Sequence, residues 1–419
     1  MRRLLILPVI ALQLAAASLP VAKPEEVGMS SERLQKIHQM VMRHVEAGDI
    51  SGAVTIVARR GRVVHFEAHG LMDIDAKKPM TKDALFRLAS SSKPVTAAAI
   101  LMLMEDGKLK LTDPVSKYIP EFKNSKVAVE WVRNAVPMSD QPPANGERYY
   151  TVPANHEITI MDLLTHTSGL ATGGVTNEDF QALLKARQPT DTLAEFIPRI
   201  GALPLDFQPG TQWRYSGLAG FDTLGRIVEI ASGMTFDQFL RQRLFEPLGM
   251  NGAAFNIPDE DAARVASIYR KTATGLEKTA PFAIGTKAYF SGAGGLTCTA
   301  EDYLQFAEML ANGGELRGKR ILSPWTVNTM MSNNVGDLFN GQIGRAPKGV
   351  GFGLGGEVVV SAVDARLRKP DGSYGWDGAY GTYWWVNRKE RMVAIMFVQT
   401  PGRSLQYDFD NAVAQAVIE

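Results

Sequence analysis

The chain has 419 residues, with 45 basic and 44 acidic side chains, a formal net charge of +1 and one cysteine. This balance lacks the concentrated basic surface of a nucleic-acid-binding protein, and a single cysteine excludes a disulfide framework. The length and the 45% hydrophobic content suit a globular protein with a large core. The expected partners are small molecules without strong charge.

The N-terminus is typical of a secretion signal. Arg2 and Arg3 precede an apolar stretch over residues 4–17, and small-residue cleavage sites end at Ala17 and Ala22. The stretch is shorter than the roughly 20 residues that a membrane-spanning helix needs. The alternative is a buried N-terminal helix. We expect residues 1–22 to be a signal peptide, and the mature chain to be periplasmic or secreted without a stable membrane anchor.

Strand patterns stand at both ends of the chain. Residues 30–47 have apolar side chains at helical spacing, and Gly48 follows them as the end of a predicted helix. Residues 53–69 contain two β-branched runs around a polar turn. Residues 382–398 repeat the hairpin pattern, and a last helix is predicted from Asp408. The simplest fold is α+β, an antiparallel sheet that both chain ends build and that helices flank.

The middle of the chain is mainly helical in pattern. Thr159 and Asp162 form a capping box, with Gly169 as the expected helix stop. Residues 123–155 contain several prolines and are expected to form an ordered excursion or an edge hairpin. Further helices are predicted over residues 95–104, 221–231, 236–248 and 300–311. We therefore expect a helical subdomain inserted roughly from residue 95 to residue 345.

Several common catalytic patterns are missing. No histidine follows His166, which excludes the α/β-hydrolase order with its catalytic histidine last, and G-x-S-x-G and H-E-x-x-H are both absent. Residues 351–356 match G-x-G-x-x-G, but they precede a strand pattern and so lack the helix N-terminus that binds phosphate. Cys298 is expected to be a small buried residue. No metal and no organic cofactor is expected.

The stretch FRLASSSKPVTAAAIL, residues 86–101, joins three serines and a lysine to an apolar helix pattern. Only Ser90 lies three residues before Lys93, so the two side chains share one helical face. A helix N-terminus favours a developing negative charge, and a neighbouring amine can accept the hydroxyl proton. The alternative is an N-cap serine with a solvated lysine. One S-x-x-K tetrad is expected by chance, so the context must decide.

That context resembles the superfamily of serine β-lactamases and penicillin-binding proteins, most of all class C β-lactamases and family VIII carboxylesterases. Residues 86–101 resemble its first motif. Five further segments resemble its other landmarks in the same order: LLTHTSGL (163–170), QPGTQWRYSGLAG (208–220), FEPLGM (245–250), GAGGLTCTAEDY (292–303) and GWDGAYGTYWWVN (375–387). The resemblance covers nearly all of the mature chain and implies one β-lactamase-like hydrolase domain over residues 23–419.

The resemblance implies a role for each matching residue. Ser90 is the nucleophile that becomes acylated, Lys93 is its amine partner, and Tyr215 matches the second base in the Y-x-N motif. The segment Trp376–Gly378, with Asp377 at its centre, matches the third motif, which is K-T-G in β-lactamases and often W-x-G or H-x-G in esterase-like members. The N–H groups of Ser90 and Ala379 then form the oxyanion hole.

Three aromatic positions and one histidine have alternatives to a role in the site. Tyr215 can also be read as a core aromatic that follows Trp213. Tyr374 and Trp376 either wall an apolar substrate pocket or belong to the core of the sheet. His166 lies in a segment that is structural in the family, and we leave it out of the mechanism.

Two departures from the family pattern bear on the substrate. Gly217 stands where Y-x-N has an asparagine that binds a substrate amide, and the third motif lacks the lysine that recognises a substrate carboxylate. Asp377, if it faces the pocket, would repel an anionic substrate by a few kcal/mol. The sequence therefore predicts a serine hydrolase for small neutral carboxylic esters. The alternatives are a class C-like β-lactamase or D,D-peptidase, an acyltransferase, and a non-catalytic cell-wall-binding homologue.

Overall fold

The structure is a computed structural model that describes residues 18–131, 148–282 and 287–419. The helices of these ranges are α1 (Ser31–Glu46), α2 (Lys93–Glu105), α3 (Ile160–Leu164), α4 (Asn177–Lys185), α5 (Leu193–Gly201), α6 (Ala219–Ser232), α7 (Phe236–Leu240), α8 (Glu246–Leu248), α9 (Ala300–Ala311), α10 (Pro324–Met330), α11 (Ala362–Ala365) and α12 (Arg403–Ala414). One π-helical turn, Arg241–Phe245, joins α7 to α8.

The strands of the same ranges are β1 (Gly52–Arg59), β2 (Arg62–Asp73), β3 (Lys78–Pro79), β4 (Phe86–Arg87), β5 (Lys126–Glu130), β6 (Tyr149–Pro153), β7 (Ile268–Thr272), β8 (Gly275–Thr279), β9 (Thr297–Cys298), β10 (Glu315–Leu316), β11 (Lys319–Arg320), β12 (Val350–Phe352), β13 (Glu357–Val359), β14 (Tyr374–Asp377), β15 (Tyr383–Asn387) and β16 (Met392–Phe397). Eight of them form one sheet in the order β12-β13-β14-β15-β16-β1-β2-β3. Its pairs are antiparallel.

The sheet joins the two ends of the chain at β1, which pairs with β2 on one side and with β16 on the other. All eight residues of β1 are buried, because helices cover both faces of the sheet. Alternate residues of a strand face opposite sides. Ala53 and Val57 pack with α1 and α12, whereas Val54 and Ile56 pack with the helices of the middle of the chain. The predicted fold class, a sheet from both termini with helices around it, is confirmed.

Helix α2 lies inside the helical layer. Residues 93–103 are all buried, which suits a segment that is apolar around its whole circumference. Just before it, β4 pairs with β9, so that Phe86 lies opposite Cys298. This pairing fixes the start of α2 against a distant part of the chain. Cys298 is buried, as predicted.

Most predicted elements of the middle of the chain are present. The pairing of β5 with β6 confirms a hairpin within residues 123–155, although residues 132–147 lie outside the described ranges. The helices predicted over 221–231, 236–248 and 300–311 correspond to α6, to α7 with α8, and to α9. Most described helices lie between α2 and α10, where the helical subdomain was expected. The exact domain bounds stay a prediction.

Two predicted helix ends are wrong. Gly169 does not end α3, which stops at Leu164. The helix stops because His166 has a left-handed φ of 60°, whereas the N–H and the hydroxyl of Thr165 both still donate to the Met161 carbonyl. At the other end of the chain, α12 begins at Arg403 and not at Asp408.

Residues 1–17 lie outside the described ranges, so most of the predicted signal peptide has no structural account. Residues 20–22 are described, and Val21 forms a parallel bridge with Val63 of β2. Cleavage after Ala22 would remove this contact, and cleavage after Ala17 would keep it. Within the described ranges, no helix combines the length and the apolar character that crossing a membrane requires.

Candidate active site

Ser90 lies in a 3-10 turn, Ala89–Ser92, that leads directly into α2. Ser90 therefore precedes the first residue of α2. A 3-10 turn also brings residues i and i+3 to one side, so Ser90 and Lys93 can still meet. Ala89 has a positive φ of 45°, a conformation that L-residues rarely adopt. Buried hydrogen bonds hold the turn, including one from the Tyr303 hydroxyl to the Ser91 carbonyl at 2.8 Å. The turn presents a half-buried Ser90 to a cavity.

The ammonium group of Lys93 is completely buried beside Ser90. Its Nζ lies 3.3 Å from the Ser90 Oγ and donates to the carbonyls of Gly217 and Ala293, each at 2.8 Å. No described carboxylate forms an ion pair with it. The three hydrogens of the Lys93 ammonium group can go to the two carbonyls and to the Ser90 Oγ, and loss of one proton would leave the nitrogen lone pair facing that hydroxyl. The geometry therefore suits proton transfer between these two side chains.

The Ala293 carbonyl is positioned by a buried carboxylate that the sequence did not single out. Asp222 of α6 accepts the N–H of Ala293 at 3.0 Å, the hydroxyl of Ser291 at 2.7 Å and the hydroxyl of Tyr289 at 2.8 Å. Burial raises the pKa of Asp222 above its usual range, although these hydrogen bonds favour the ionised form. Asp222 thus fixes the backbone that holds Lys93.

Tyr215 lies beside the same pair. Lys93 Nζ is 5.0 Å from the centre of the Tyr215 ring, within the range of a cation–π contact. The hydroxyl accepts a hydrogen bond from Nε1 of Trp376 at 3.4 Å, and within the described chain it forms none with Ser90 or Lys93. The three predicted catalytic residues therefore meet at one place, with the phenol not yet within hydrogen-bond distance of the nucleophile.

His166 holds the backbone on both sides of Tyr215. Its carbonyl accepts the N–H of Arg214 at 3.1 Å, and its Nδ1 accepts the N–H of Ser216 at 3.2 Å. The rings of His166 and Tyr215 lie 4.6 Å apart. Burial, and then the positive charge of Lys93, lowers the pKa of His166 well below its usual range. A neutral ring fits a positioning role and not acid–base catalysis.

The third motif packs directly against the nucleophile turn. A Cβ on Gly378 would lie 2.2 Å from the carbonyl of Leu88 and 2.3 Å from Oγ1 of Thr382, so only glycine fits there. The next residue, Ala379, is exposed at the cavity, and its N–H has no acceptor in the described part of the chain. Such a free N–H beside Ser90 suits the predicted oxyanion hole.

A cavity of about 280 Å³ opens at this meeting point, and its lining includes Ser90, Tyr215, Trp376, Asp377, Gly378 and Ala379. A second cavity of about 430 Å³ shares Tyr215 and Ile343 with the first. The site is therefore a groove that continues past the nucleophile. A small substrate fits in such a space.

The comparisons with known proteins agree with this geometry. A family model described as Beta-lactamase matches residues 37–417. The chain belongs to the beta-lactamase family. An uncharacterized protein of Mycobacterium tuberculosis is 36% identical over 86% of this chain and 89% of its own length. Esterase EstB of Burkholderia gladioli is 29% identical over 96% of this chain and 99% of its own length.

A solved structure has the same fold. EstCE1, described as a hydrolase with promiscuous acyltransferase activity, superposes with a TM-score of 0.75 at 27% identity, over 92% of this chain and 99% of its own. Other family relatives are named as a lovastatin esterase, an acyltransferase and a D-alanyl-D-alanine carboxypeptidase. This membership supports an enzyme of the serine hydrolase class, with several activities among the relatives.

Asp377, which stands in the third motif, lines the cavity, but ion pairing offsets the charge of its carboxylate. Its carboxylate accepts from Nη2 of Arg345 at 2.9 Å and from Nε2 of Gln406 at 3.3 Å. The side chain of Arg345, 13% exposed, also contacts Glu357 at 2.7 Å. Burial alone would lower the pKa of Arg345, but the two carboxylates raise it above its usual value. The predicted repulsion of anionic substrates is therefore weaker than the sequence suggested.

Of the two aromatic residues near the third motif, Trp376 lines the cavity and Tyr374 does not. Trp376 is 3% exposed and belongs both to the cavity wall and to a buried aromatic cluster with Trp213. Tyr374 is completely buried, and its hydroxyl donates to the Leu354 carbonyl at 2.7 Å, so it belongs to the core. Gly217 contributes its carbonyl to Lys93, and the space where a Cβ would lie is open.

Proposed function

We propose that this chain is a serine hydrolase that cleaves small neutral carboxylic esters through an acyl-enzyme on Ser90. The observation that supports this most is the environment of Lys93: a buried amine whose two backbone acceptors leave its third direction for the Ser90 hydroxyl. An N-cap serine with a solvated lysine, the alternative at the level of sequence, does not fit a lysine with no exposed surface.

The proposed reaction has two halves. Lys93, together with Tyr215, accepts the Ser90 proton, and Oγ bonds to the ester carbonyl carbon. The resulting oxyanion is stabilised by the N–H groups of Ser90 and Ala379, each worth about 10²–10³ in rate. The bond from carbon to the alcohol oxygen breaks, and the alcohol takes the proton. Water then attacks the acyl carbon, and the acid leaves as Oγ recovers a proton.

Two features favour esters over β-lactams or peptides. Gly217 offers no side-chain amide to a substrate amide, and no lysine stands in the third motif to bind a substrate carboxylate. The ion pair with Arg345 offsets the charge of Asp377, and the cation Arg403 of the same cavity lining donates to the backbone carbonyls of Ile343 and Gly344. The relatives named as esterases support the same choice.

Acyl transfer to an alcohol or amine is the second candidate. The relatives include a named acyltransferase, and EstCE1 is described with promiscuous acyltransferase activity. Transfer and hydrolysis share the acyl-enzyme and differ only in the group that attacks it. The open groove beside Tyr215 provides room for such an acceptor.

The proposal is tested with a panel of p-nitrophenyl esters measured beside penicillin and a chromogenic cephalosporin. We expect ester turnover to exceed β-lactam turnover in the wild type and to fall by at least about 10³-fold in Ser90→Ala. The matched control is Ser91→Ala, since the Ser91 hydroxyl contacts Thr382 and not Lys93. Faster turnover of the cephalosporin than of p-nitrophenyl butyrate would identify a β-lactamase instead.

We also propose that the chain is exported, as its N-terminal pattern predicts. N-terminal sequencing of the protein from a periplasmic or culture fraction tests this. A start between residues 18 and 23 is expected, and an intact Met1 in the cytoplasmic fraction alone would contradict it.

A further inference from the structure

A cluster of two histidines and one glutamate lies away from the proposed acyl-transfer site. His38 comes from α1, and Glu67 and His69 come from β2; one ligand atom of each lies within 4.8 Å of the other two. Nδ1 of His38 is 3.1 Å from Oε2 of Glu67, and Nε2 of His69 is 3.9 Å from the same oxygen. None of these groups takes part in the chemistry at Ser90.

The fold places these groups together on one face of the sheet. Glu67 and His69 are two residues apart on β2, so their side chains point the same way. Thr55 of β1 lies directly opposite Glu67 in the strand register and faces the same side. This is the face that α1 covers, whereas α2 with Ser90 packs on the other face. The sheet therefore separates the cluster from the catalytic groove.

We propose that His38, Glu67 and His69 bind a divalent transition-metal ion of the zinc type. Tetrahedral zinc with bonds of about 2.1 Å places neighbouring ligand atoms about 3.4 Å apart. The first of the two distances already fits, and the second must shorten by only about 0.5 Å. Two imidazoles and one carboxylate are a known zinc ligand set that leaves a fourth position for water. Mg²⁺ and Ca²⁺ prefer oxygen ligands alone.

The mobility and access of the three ligands suit such binding. The side chains of His38 and Glu67 are 56% and 42% exposed, so they can adjust and a hydrated ion can reach them. His69 is buried, and its Nε2 lies 3.0 Å from the buried Thr55 hydroxyl, a contact that an ion on Nε2 must replace because this nitrogen has one lone pair. The two exposed ligands can move toward the buried one when the site closes around an ion.

The protein groups alone leave this cluster incompletely satisfied. The Thr55 hydroxyl lies 2.7 Å from Nε2 of His65 as well as near His69, and it can donate to one ring and accept from the other. Nδ1 of His69 is buried and has no hydrogen-bond partner within the described chain. Nε2, and not Nδ1, is the nitrogen of His69 that faces Glu67, so Nδ1 carries the ring hydrogen when Nε2 binds the ion.

A bound ion would join α1 to β2 and would act on stability, not on the acyl transfer. The test uses the full-length protein after removal of metals with EDTA and dialysis, titrated with ZnCl₂ or MgCl₂ by calorimetry. The variants are His38→Ala and Glu67→Gln, both at exposed side chains. The control is His156→Ala, an exposed histidine that contacts only backbone carbonyls. Circular dichroism verifies folding and gives the Tm with and without zinc.

We expect one Zn²⁺ per chain in the wild type and in His156→Ala, with affinity at least about tenfold weaker in His38→Ala and Glu67→Gln. The Tm should rise with zinc concentration only in the first two proteins, because the ion binds the folded state. Wild-type protein without saturable zinc binding overturns the proposal. Equal affinity in all four proteins, or equal binding of Mg²⁺, overturns it as well.

Discussion

His166 provides the sharpest test of how the site is assembled, because it touches neither Ser90 nor Lys93 and yet holds Tyr215. Its Nδ1 accepts the N–H of Ser216 at 3.2 Å, and its ring lies 4.6 Å from that of Tyr215. The perturbation is a pair of variants, His166→Asn and His166→Gly. Asn can supply an acceptor for the Ser216 N–H, whereas Gly cannot.

Backbone strain does not confound this pair. His166 has φ of 60°, a left-handed conformation that both glycine and asparagine tolerate better than most residues. In His166→Gly the N–H of the buried Ser216 loses its acceptor, which costs about 1–3 kcal/mol. The Tyr215 backbone then shifts, and a misplacement of about 1 Å lowers the rate by about 10²-fold. In His166→Asn the acceptor is kept, and the loss in kcat should stay below about tenfold.

The assay is steady-state hydrolysis of p-nitrophenyl butyrate from pH 6 to pH 10, with the Tm measured in parallel. We expect the two variants to differ in kcat more than in KM. We expect that protonation of His166 causes no fall in wild-type kcat toward pH 6, because burial keeps the pKa of that ring well below its usual range. Equal losses of kcat in His166→Asn and His166→Gly, or wild-type kcat in His166→Gly, would refute the positioning role.

Three further predictions concern the groove and the core. The variant Gly217→Asn should fold normally, because nothing lies within 4 Å of the Cβ position of Gly217. The new side-chain amide should raise β-lactam turnover relative to ester turnover by about 2–10-fold. An unchanged ratio would contradict the argument that the missing asparagine amide disfavours β-lactams. The variant Asp377→Asn should change the ratio of turnover of carboxylate-bearing esters to that of neutral esters by less than about threefold. The reason is that Arg345, at 2.9 Å, already offsets the charge of this carboxylate. A rise of the ratio above about tenfold would mean that Asp377 acts as a free charge. Burial raises the pKa of Glu308 to about 7 from 4.5, so its carboxylate destabilises the folded protein above that pH and the penalty disappears below pH 4.5. Glu308→Gln should therefore raise the free energy of unfolding by up to about 3 kcal/mol at pH 8 and by almost nothing at pH 4.5. Urea unfolding at both pH values measures this gain, and an equal gain at the two pH values would contradict the prediction.

The parts of the fold that the sequence predicted are those with a local signal. The hairpins of β1 with β2 and of β15 with β16 have alternating or β-branched runs around polar turns, and α1 has a regular apolar stripe. The family landmarks added the long-range information, since their order places Ser90, Lys93 and Tyr215 at one site. The start of α12 was missed because the five residues before Asp408 contain only one buried apolar side chain, Leu405.

The parts that could not be predicted depend on contacts without a residue signature. Any residue has a carbonyl, so no pattern marks Gly217 and Ala293 as the acceptors of Lys93. Asp222 is one of two acidic residues in an ordinary helix pattern, and nothing in the sequence separates it from Glu229. Arg345 pairs with Asp377 across a separation of 32 residues, and only the folded chain shows that the carboxylate is shared.

The central claim is that Ser90 becomes acylated with the help of Lys93, and intact-mass measurement with a fluorophosphonate probe tests it most directly. We expect the wild type and Ser91→Ala to gain the mass of one probe less hydrogen fluoride, with the adduct mapped to Ser90 by peptide sequencing. Ser90→Ala should gain none, and Lys93→Met should react at least about 10³-fold more slowly while it remains folded. A folded wild type that gains no mass, or an adduct that maps to another residue, would contradict the account.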